Sequence, residues 1–417
     1  MTKKIVFHDP IHKEILIDKS KDEELMILEL IETFAFQRLR RIKQLGTASL
    51  VFHGAEASRF THSLGVFNVA RKFYKKLVEE NINFKRNKFV LFGAALLHDL
   101  GHGPFSHTSE KIFSHRHESW SKKLIQEYAP IKSILDNYGD NTANAIANLF
   151  SSRNLLSHPV KTLISSEIDC DRMDYLLRDS YNTGTNYGLV DLERIISALT
   201  FAPDSSIAIK PKGVIAIEHF LVLRNMMYRT IYNHRINEIC TWILEKIISH
   251  IRSEYDTGIW IDKSLKKWIF SPDNLDFEDF LNNDDITLSY HLNVWKEQAP
   301  APLSTLSKMF LNRKLLKASD ISILDNIQKL ELLAFAKQKC EENNYDPNLF
   351  CGLKEKAFKG FESKNSLKVW DGDLLTNLDE SSMLVKALMK SQKSCLLIYP
   401  EEIRTLVQKK MSDIKGN

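Results

Sequence analysis

The opening stretch IVFHDPIHKEILI alternates apolar and polar residues about Pro10, the period-two pattern of a strand–turn–strand. From Asp22 the period lengthens. EELMILELIE spaces its apolar residues for a helix, and FAFQRLRRIKQLG extends that helix until Gly46 stops it. THSLGVFNVARKFYKKLVEE puts Val66, Val69, Ala70, Phe73 and Leu77 on one face, an amphipathic helix. NKFVLFGAALLHDLGHGPF differs, because Phe89 to Leu97 is apolar on every side, as expected of a helix at the centre of a bundle. Pro104 and two glycines end it just past a polar His-Asp pair. Helices are predicted again at SHTSEKIF, HESWSKKLIQEYA and PVKTLISSEIDCDRMDYLLRDSY. SSIAIKPKGVIAI reads as a hairpin about its Pro-Lys-Gly turn, and a long helix is predicted from about Glu218 to Arg252. Residues 255–317 read as helical with a proline loop, APAP, near 300. The last hundred residues mix a helix at about 320–342, short strands around FKGF, LKVW and SCLLIYP, and a terminal helix PEEIRTLVQKKM.

Composition narrows the class without naming a function. With 43% hydrophobic and 26% charged residues among 417, the chain has ample material for a core, which excludes disordered, collagen-like and low-complexity classes. Lys and Arg total 57 against 53 Asp and Glu, and a net +4 is too mild to indicate nucleic acid or a membrane surface. Cys170, Cys240, Cys340, Cys351 and Cys395 are scattered with no CxxC pair, so neither a disulfide framework nor a cysteine zinc site is expected, and a reducing cytoplasm fits best. No apolar leader and no 18-residue apolar window occur, so neither a signal peptide nor a membrane span is expected.

Histidine changes the picture. Seven of 14 histidines (His53, His62, His98, His102, His107, His115, His117) fall within residues 53–117, where an even spread would place about two. Imidazoles clustered this way suggest metal ligation or acid–base chemistry. His62, His98-Asp99 and Asp171 are polar residues embedded in apolar helices. Two imidazoles and two carboxylates from separate helices meet only inside a bundle, where unpaired charge is costly and a divalent cation removes the cost. Mixed nitrogen and oxygen donors suit Mn, Fe, Zn or Mg alike. His102 and His107 are candidate proton donors, and Glu110 follows His107 by one helical turn, where a carboxylate can orient the imidazole and hold it charged. No GxxxxGK[ST] is present, so Gly101 and Gly103 read as backbone permissiveness beside the metal rather than a phosphate loop. Arg59, Arg172, Arg178, Arg224, Arg229 and Arg235 are candidate phosphate cations.

The order H…HD…D, with FQRLRRIKQLG, SRFTHSLGV, LLHDLGHGPFSH and EIDCDRMDYLLRDS, resembles the HD-superfamily metal phosphohydrolases, in particular their deoxynucleoside triphosphate triphosphohydrolase branch. The resemblance is strong from residue 5 to about 240 and weaker beyond. No sterile-alpha-motif segment precedes it, as in the bacterial-type architecture. It implies a mainly α fold: an HD helical core with a small hairpin (1–250), a helical extension (251–319) and a mixed α+β region (320–417). It implies a divalent metal held by His62, His98, Asp99 and Asp171. It implies His107 and Glu110 as proton donor and partner, with His102 and His117 facing the phosphates. Arg59 and Arg172 match phosphate contacts, Tyr175 a tyrosine packing on the sugar, Asp179 a carboxylate bonding the 3′-hydroxyl, and Gln44 and Leu45 residues around base and sugar. The implied reaction is hydrolysis of a dNTP at the α-phosphorus to deoxynucleoside and inorganic triphosphate, by a homo-oligomer assembled as a dimer of dimers. Alternatives are another nucleotide or a nucleic-acid end as substrate, or a nucleotide sensor without turnover. Nucleotide-activated members carry Asn-Asp-Pro-x-His-Gly near the N-terminus; here the segment is His8-Asp9-Pro10-Ile11-His12-Lys13, which leaves an effector site unsupported. The loop after Gly46 lacks the family's further glycines, and His53 stands where a proline is usual, pointing to a differently shaped base pocket.

Overall fold

The computed structural model describes residues 3–150, 159–254, 258–361 and 367–416. Strands Lys4–Asp9 and Lys13–Asp18 pair antiparallel across the Pro10 turn, and Ile15 and Ile17 are wholly buried beneath them. Helix Asp22–Ile31 follows, but it does not run on to Gly46. Thr33 breaks it: its hydroxyl donates to Leu30 O (2.7 Å) and accepts from Phe36 N (3.4 Å), diverting backbone groups from the helical ladder. A short helix, Phe34–Gln37, and two 3-10 turns, Arg38–Arg41 and Gly46–Leu50, replace the expected continuation.

Helix Arg59–Glu80, capped by Ser58, packs against helix Lys88–Leu97, whose residues from Leu91 to Leu97 are all buried. Helix Thr142–Leu149 packs on Lys88–Leu97 and in turn against His117–Glu127 and Ala129–Asn137, while His107–Phe113 lies against a later helix, Arg235–Ser253. The segment beginning PVKTL is two helices, Pro159–Ile164 and Cys170–Thr183, not one. Asp169 divides them, accepting from Arg172 N (2.7 Å) as an N-cap while its other oxygen takes Ser166 N (2.9 Å).

The hairpin at SSIAIKPKGVIAI is also redrawn. Ile207–Ile209 pairs with the earlier strand Leu199–Phe201, while Val214 opens helix Val214–Met227. Pro211 starts the intervening 3-10 turn, consistent with its fixed φ favouring a helical first position. The long helix expected across 218–252 is interrupted by a π turn, Tyr228–Tyr232, and resumes as Arg235–Ser253 with His234 as its cap. The helical extension comprises Lys263–Phe270, Phe277–Leu281, Asp285–Gln298 and Leu303–Leu311; residues 255–257, at its expected start, lie outside the described residues.

Strands Lys317–Asp320, Gln392–Tyr399 and Gly352–Phe358 form an antiparallel sheet with Gln392–Tyr399 in the middle. Helices Asn326–Glu342 and Arg404–Gly416 pack together beside it, and apolar residues from Ile321 to Ile414 form their own cluster. Lys368–Trp370 instead pairs parallel with Ile207–Ile209, in a four-stranded sheet that joins the C-terminal region to the helical core. That junction brings strand Gly352–Phe358 onto helix Arg235–Ser253 and the π turn: Lys354 Nζ reaches Glu245 (2.7 Å), and Phe358 stacks on Tyr228 with centroids 4.4 Å apart. The class is mainly α, with small sheets of two to four strands. Among the described residues, no helix is long and apolar enough to cross a membrane.

Candidate active site

Three helices bring His62, His98 and Asp171 together. His62 projects from the first turn of helix Arg59–Glu80, His98 directly follows the buried helix Lys88–Leu97, and Asp171 lies in the first turn of helix Cys170–Thr183. Their ligand atoms lie within 4.8 Å of one another: His62 Nε2 is 3.0 Å from Asp171 Oδ1 and 3.3 Å from His98 Nε2. Asp99 adjoins them, with Oδ1 3.3 Å from His98 Nε2 and Oδ2 3.6 Å from His62 Nε2. Burial opposes charge on His62, yet its hydrogen bonds with Asp171 and Asp174 raise its pKa to about 10. Burial likewise works against ionisation of Asp99 and Asp171, but Arg59, His98 and His102 outweigh it at Asp99, and His62 and His98 at Asp171, so both carboxyls are held low. Negative charge on the buried Asp99 and half-buried Asp171 carboxylates around two convergent imidazoles is the donor set a divalent cation takes, so these residues fit a metal; they do not choose among Mn, Fe, Mg and Zn.

Arg59 spends three of its five N–H donors within the site, leaving one on each Nη. Its Nη1 donates to Asp99 Oδ2 (2.5 Å), Nε to Ser106 Oγ (2.9 Å) and Nη2 to Gln44 O (3.2 Å). Phe105 and Ser106 are consecutive non-glycine residues with φ of 56°, a conformation L-residues rarely hold. The turn is held by Asp285, which accepts from Phe105 N (2.6 Å), and by Ser106 Oγ, which donates to Lys43 O (2.6 Å). Its effect is to deliver His107 as the first residue of the next helix. Gly101 and Gly103, expected to supply unusual backbone angles, do not take positive φ. They allow close packing: a Cβ on Gly101 would lie 2.1 Å from His117 O, and one on Gly103 2.6 Å from Ser109 Oγ.

His102, His107 and His117 form a second cluster, with His102 stacked on His117 at 4.0 Å and His107 edge-on to both. Glu110 joins two of them, Oε2 lying 2.9 Å from His107 Nδ1 and Oε1 2.6 Å from His117 Nδ1. Glu110 turns His107 toward itself and favours its charged form, but other groups act against it. The cavity walls and the Arg59 and His117 charges push the His107 pKa below its ordinary value in spite of Glu110, while 65% of the side chain stays open to the cavity. Burial and Arg59 drive His102 further down, and Arg38, itself wholly buried, donates to its carbonyl (2.7 Å). Of the remaining clustered histidines, His53 is exposed on its loop, and His115 packs edge-on against Trp268.

A cavity of about 830 Å³ joins both clusters to the expected substrate residues Gln44, Leu45, Arg172, Tyr175 and Asp179. Asp171, Tyr175 and Asp179 follow at successive turns along one face of their helix. Burial lifts Asp179 to about 7 against the Tyr232 hydroxyl, which donates to Oδ2 (2.9 Å), and Oδ1 has no partner. Gln44 Oε1 is likewise buried and unpartnered. Arg172 lines the cavity but pairs with Asp169. Arg178, a candidate phosphate cation by sequence, is turned inward onto Asp174 and Asp9 instead, and Arg224 pairs with Glu167.

Several residues of the site and its cavity wall were missed by sequence reasoning. Asp174 carries Oδ2 2.7 Å from His62 Nδ1. Its signal was available, since it lies three residues after Asp171 on the same helix. Tyr228 and Tyr232, brought onto the cavity by the π turn, share the i,i+4 spacing. Lys161, Lys356 and Phe358 have no local signal; the last two reach the cavity only because the C-terminal sheet folds over the core.

The chain matches the HD domain over residues 59–179 and the HD associated region over residues 190–414. It is 37% identical over 316 residues to the uncharacterized protein YwfO of Bacillus subtilis, spanning 74% of this chain and 70% of that one. It is 29% identical over 317 residues to the deoxynucleoside triphosphate triphosphohydrolase SAMHD1 homolog of Dictyostelium discoideum, spanning 70% of this chain and 57% of that one. The crystal structure of a phosphohydrolase from Bacteroides thetaiotaomicron superposes with a TM-score of 0.81 at 27% identity, covering 95% of this chain and all of that one.

Proposed function

The chain belongs to the HD-domain phosphohydrolase family with its HD-associated region, and from that premise we propose that it hydrolyses dNTPs at the α-phosphorus, releasing a deoxynucleoside and inorganic triphosphate. The observation that carries this reading is one continuous cavity. It is lined by His98, Asp99 and Asp171 of the first cluster, by the histidines of the second, and by Asp179, whose Oδ1 has no partner. His62, His98, Asp99 and Asp171 would hold a divalent ion, which when bound supplies Lewis acidity toward the phosphoryl group and lowers the pKa of coordinated water.

The chain's own residues do the rest. Arg59 and Arg172, with Lys161 on the cavity wall, offset the phosphate charge. His107, its Nδ1 turned to Glu110, protonates the departing 5′-oxygen as the bond to the α-phosphorus breaks and water adds. Among the protein's own groups its pKa lies below the ordinary value, and incoming phosphates raise it toward the protonated form that an acid requires. His102 and His117 face the phosphates, Tyr175 packs on the sugar, and Asp179 accepts from the 3′-hydroxyl. Gln44 and Leu45 flank sugar and base. The working unit is a homo-oligomer, checked by light scattering on the purified chain.

Incubating the pure protein with each of the four dNTPs and Mn, Mg or Fe, then identifying products, tests the proposal. Inorganic triphosphate with deoxynucleoside supports it. Orthophosphate or pyrophosphate release means a phosphoanhydride is cut instead of the 5′-ester bond and overturns it, and tight dNTP binding without turnover assigns the site to sensing.

A further inference from the structure

We propose that the N-terminal turn Asp9–His12 is a positioning element for His62, acting through Asp174; the inference rests on the reading of His62 as a metal ligand. An imidazole that ligates a metal through one nitrogen is fixed in tautomer and direction by whatever its other nitrogen bonds. His62 turns Nε2 toward Asp171 and Nδ1 toward Asp174 Oδ2, 2.7 Å away. Asp174 is wholly buried, so its charge needs partners on both oxygens. Arg178 supplies part of them, donating from Nε to Oδ2 (2.8 Å) and from Nη2 to Oδ1 (2.9 Å). His12 Nε2 completes the set, 2.6 Å from Oδ1.

Both partners are held by the same turn. Asp9 Oδ1 accepts from Ile11 N and His12 N, each at 2.9 Å, shaping the backbone that carries His12. Asp9 Oδ2 accepts from Arg178 Nη1 at 2.8 Å, aligning the guanidinium that grips Asp174. The hairpin is anchored in turn by its buried Ile15 and Ile17 and by Arg71 Nη1, which donates to Leu16 O (2.5 Å). Helix Arg59–Glu80 makes room for the network with Gly65: a Cβ there would lie 1.9 Å from Asp174 Oδ1 and 2.4 Å from Arg178 Nη2. The Asp-Pro-Ile-His segment, which keeps the Asp, Pro and His of the effector-site pattern while the flanking Asn and Gly are changed, thus has a use independent of any effector. It buttresses a ligand-bearing helix from a hairpin distant in sequence.

Thermodynamic reciprocity makes this testable: if the seated turn favours metal binding, metal binding favours the seated turn. Metal-free full-length protein is titrated with Mn²⁺, followed by electron paramagnetic resonance and calorimetry, for wild type, His12→Ala, His12→Gln and Asp171→Ala. Hydrogen exchange of residues 4–18 is recorded with and without Mn²⁺. His12→Ala should weaken Mn²⁺ binding about 10-fold, the lower end for partners of a ligating histidine. His12→Gln, whose amide can still donate to Asp174, should recover most of that loss. Mn²⁺ should slow exchange across the hairpin in wild type and not in His12→Ala. Wild-type affinity in His12→Ala, with binding abolished in Asp171→Ala, overturns the positioning role and leaves the metal site standing. Undiminished binding in Asp171→Ala overturns the metal reading itself. Should His12→Ala not fold, wild-type exchange decides alone, and hairpin amides indifferent to Mn²⁺ refute the inference.

Discussion

Replacing Glu110 with Gln isolates the proton-transfer claim. Glu110 faces His107 Nδ1 and His117 Nδ1 with separate oxygens, and Oε1 also takes His117 N at 3.0 Å. A carboxylate accepts on both oxygens; an amide accepts on one and donates from the other, so one imidazole must lose its acceptor. His107 is the more exposed of the two, 65% against 20% for His117, and is the one expected to lose. A hydrogen bond to a charged group is worth about 1.5–3 kcal/mol, and the open side of His107 argues for the lower half, about 1.5–2 kcal/mol. At 1.36 kcal/mol per pK unit, the imidazolium pKa in the complex falls by about 1 to 1.5 units. An acid must be protonated to act, so the activity lost as pH rises is lost earlier, by that same interval. At pH values above the wild-type inflection, kcat should drop about 10- to 30-fold, and acidification should restore most of it. The assay is kcat against pH at saturating substrate, with Mn²⁺ affinity as control. A loss equal at every pH would refute the reasoning, as would an unshifted basic limb, because either result removes the Glu110–His107 link from the chemistry.

Asp179 provides a second pH handle. Its folded value of about 7 lies above the ordinary 3.8, so any stability it lends is present below the ordinary value and lost as pH rises through about 7. Ionisation over that range also makes it the better acceptor, so KM for a dNTP should fall as pH rises through about 7, and Asp179→Asn should flatten the profile. Arg59→Met leaves the Asp99 charge buried, at a cost of about 3–5 kcal/mol. At about 2.1 cal/mol/K per residue, metal-free calorimetry should show the midpoint lowered by about 3–6 °C, with a smaller deficit once a divalent ion neutralises Asp99. Phe358→Ala removes an aromatic pair worth about 0.5–1.5 kcal/mol beyond burial and opens the cavity wall, so KM should rise about 2- to 10-fold with kcat little changed. An unaltered KM would detach the C-terminal strand from substrate binding.

Much of the architecture was legible where a single periodicity rules a segment. The amphipathic pattern from Thr61 and the all-apolar run before His98 correspond to helices Arg59–Glu80 and Lys88–Leu97. The alternation about Pro10 corresponds to the first hairpin. Errors fell where a local hydrogen bond overrode the period. Thr33 ended one helix, Asp169 divided another, and the π turn at Tyr228–Tyr232 interrupted a third. The second apolar run after Pro211 was compatible with strand or helix, and only its surroundings chose helix.

The amino-acid order alone determined that imidazoles and carboxylates would sit in apolar helices, because such residues are tolerable there only if they converge; His62, His98 and Asp171 do. Only the tertiary structure decided which charges were spoken for. Arg178 looked like a phosphate cation and serves Asp174 and Asp9 instead; Glu110 favours charge on His107, but its burial, Arg59 and His117, gathered by packing, act the other way. Lys356 and Phe358 reached the cavity because their strand lies on helix Arg235–Ser253 and the π turn, where Lys356 bonds Glu238 and Phe358 stacks on Tyr228. Periodicity records how a segment meets its neighbours along the chain, whereas pairing and ionisation depend on distances and solvent that exist only after distant segments have packed.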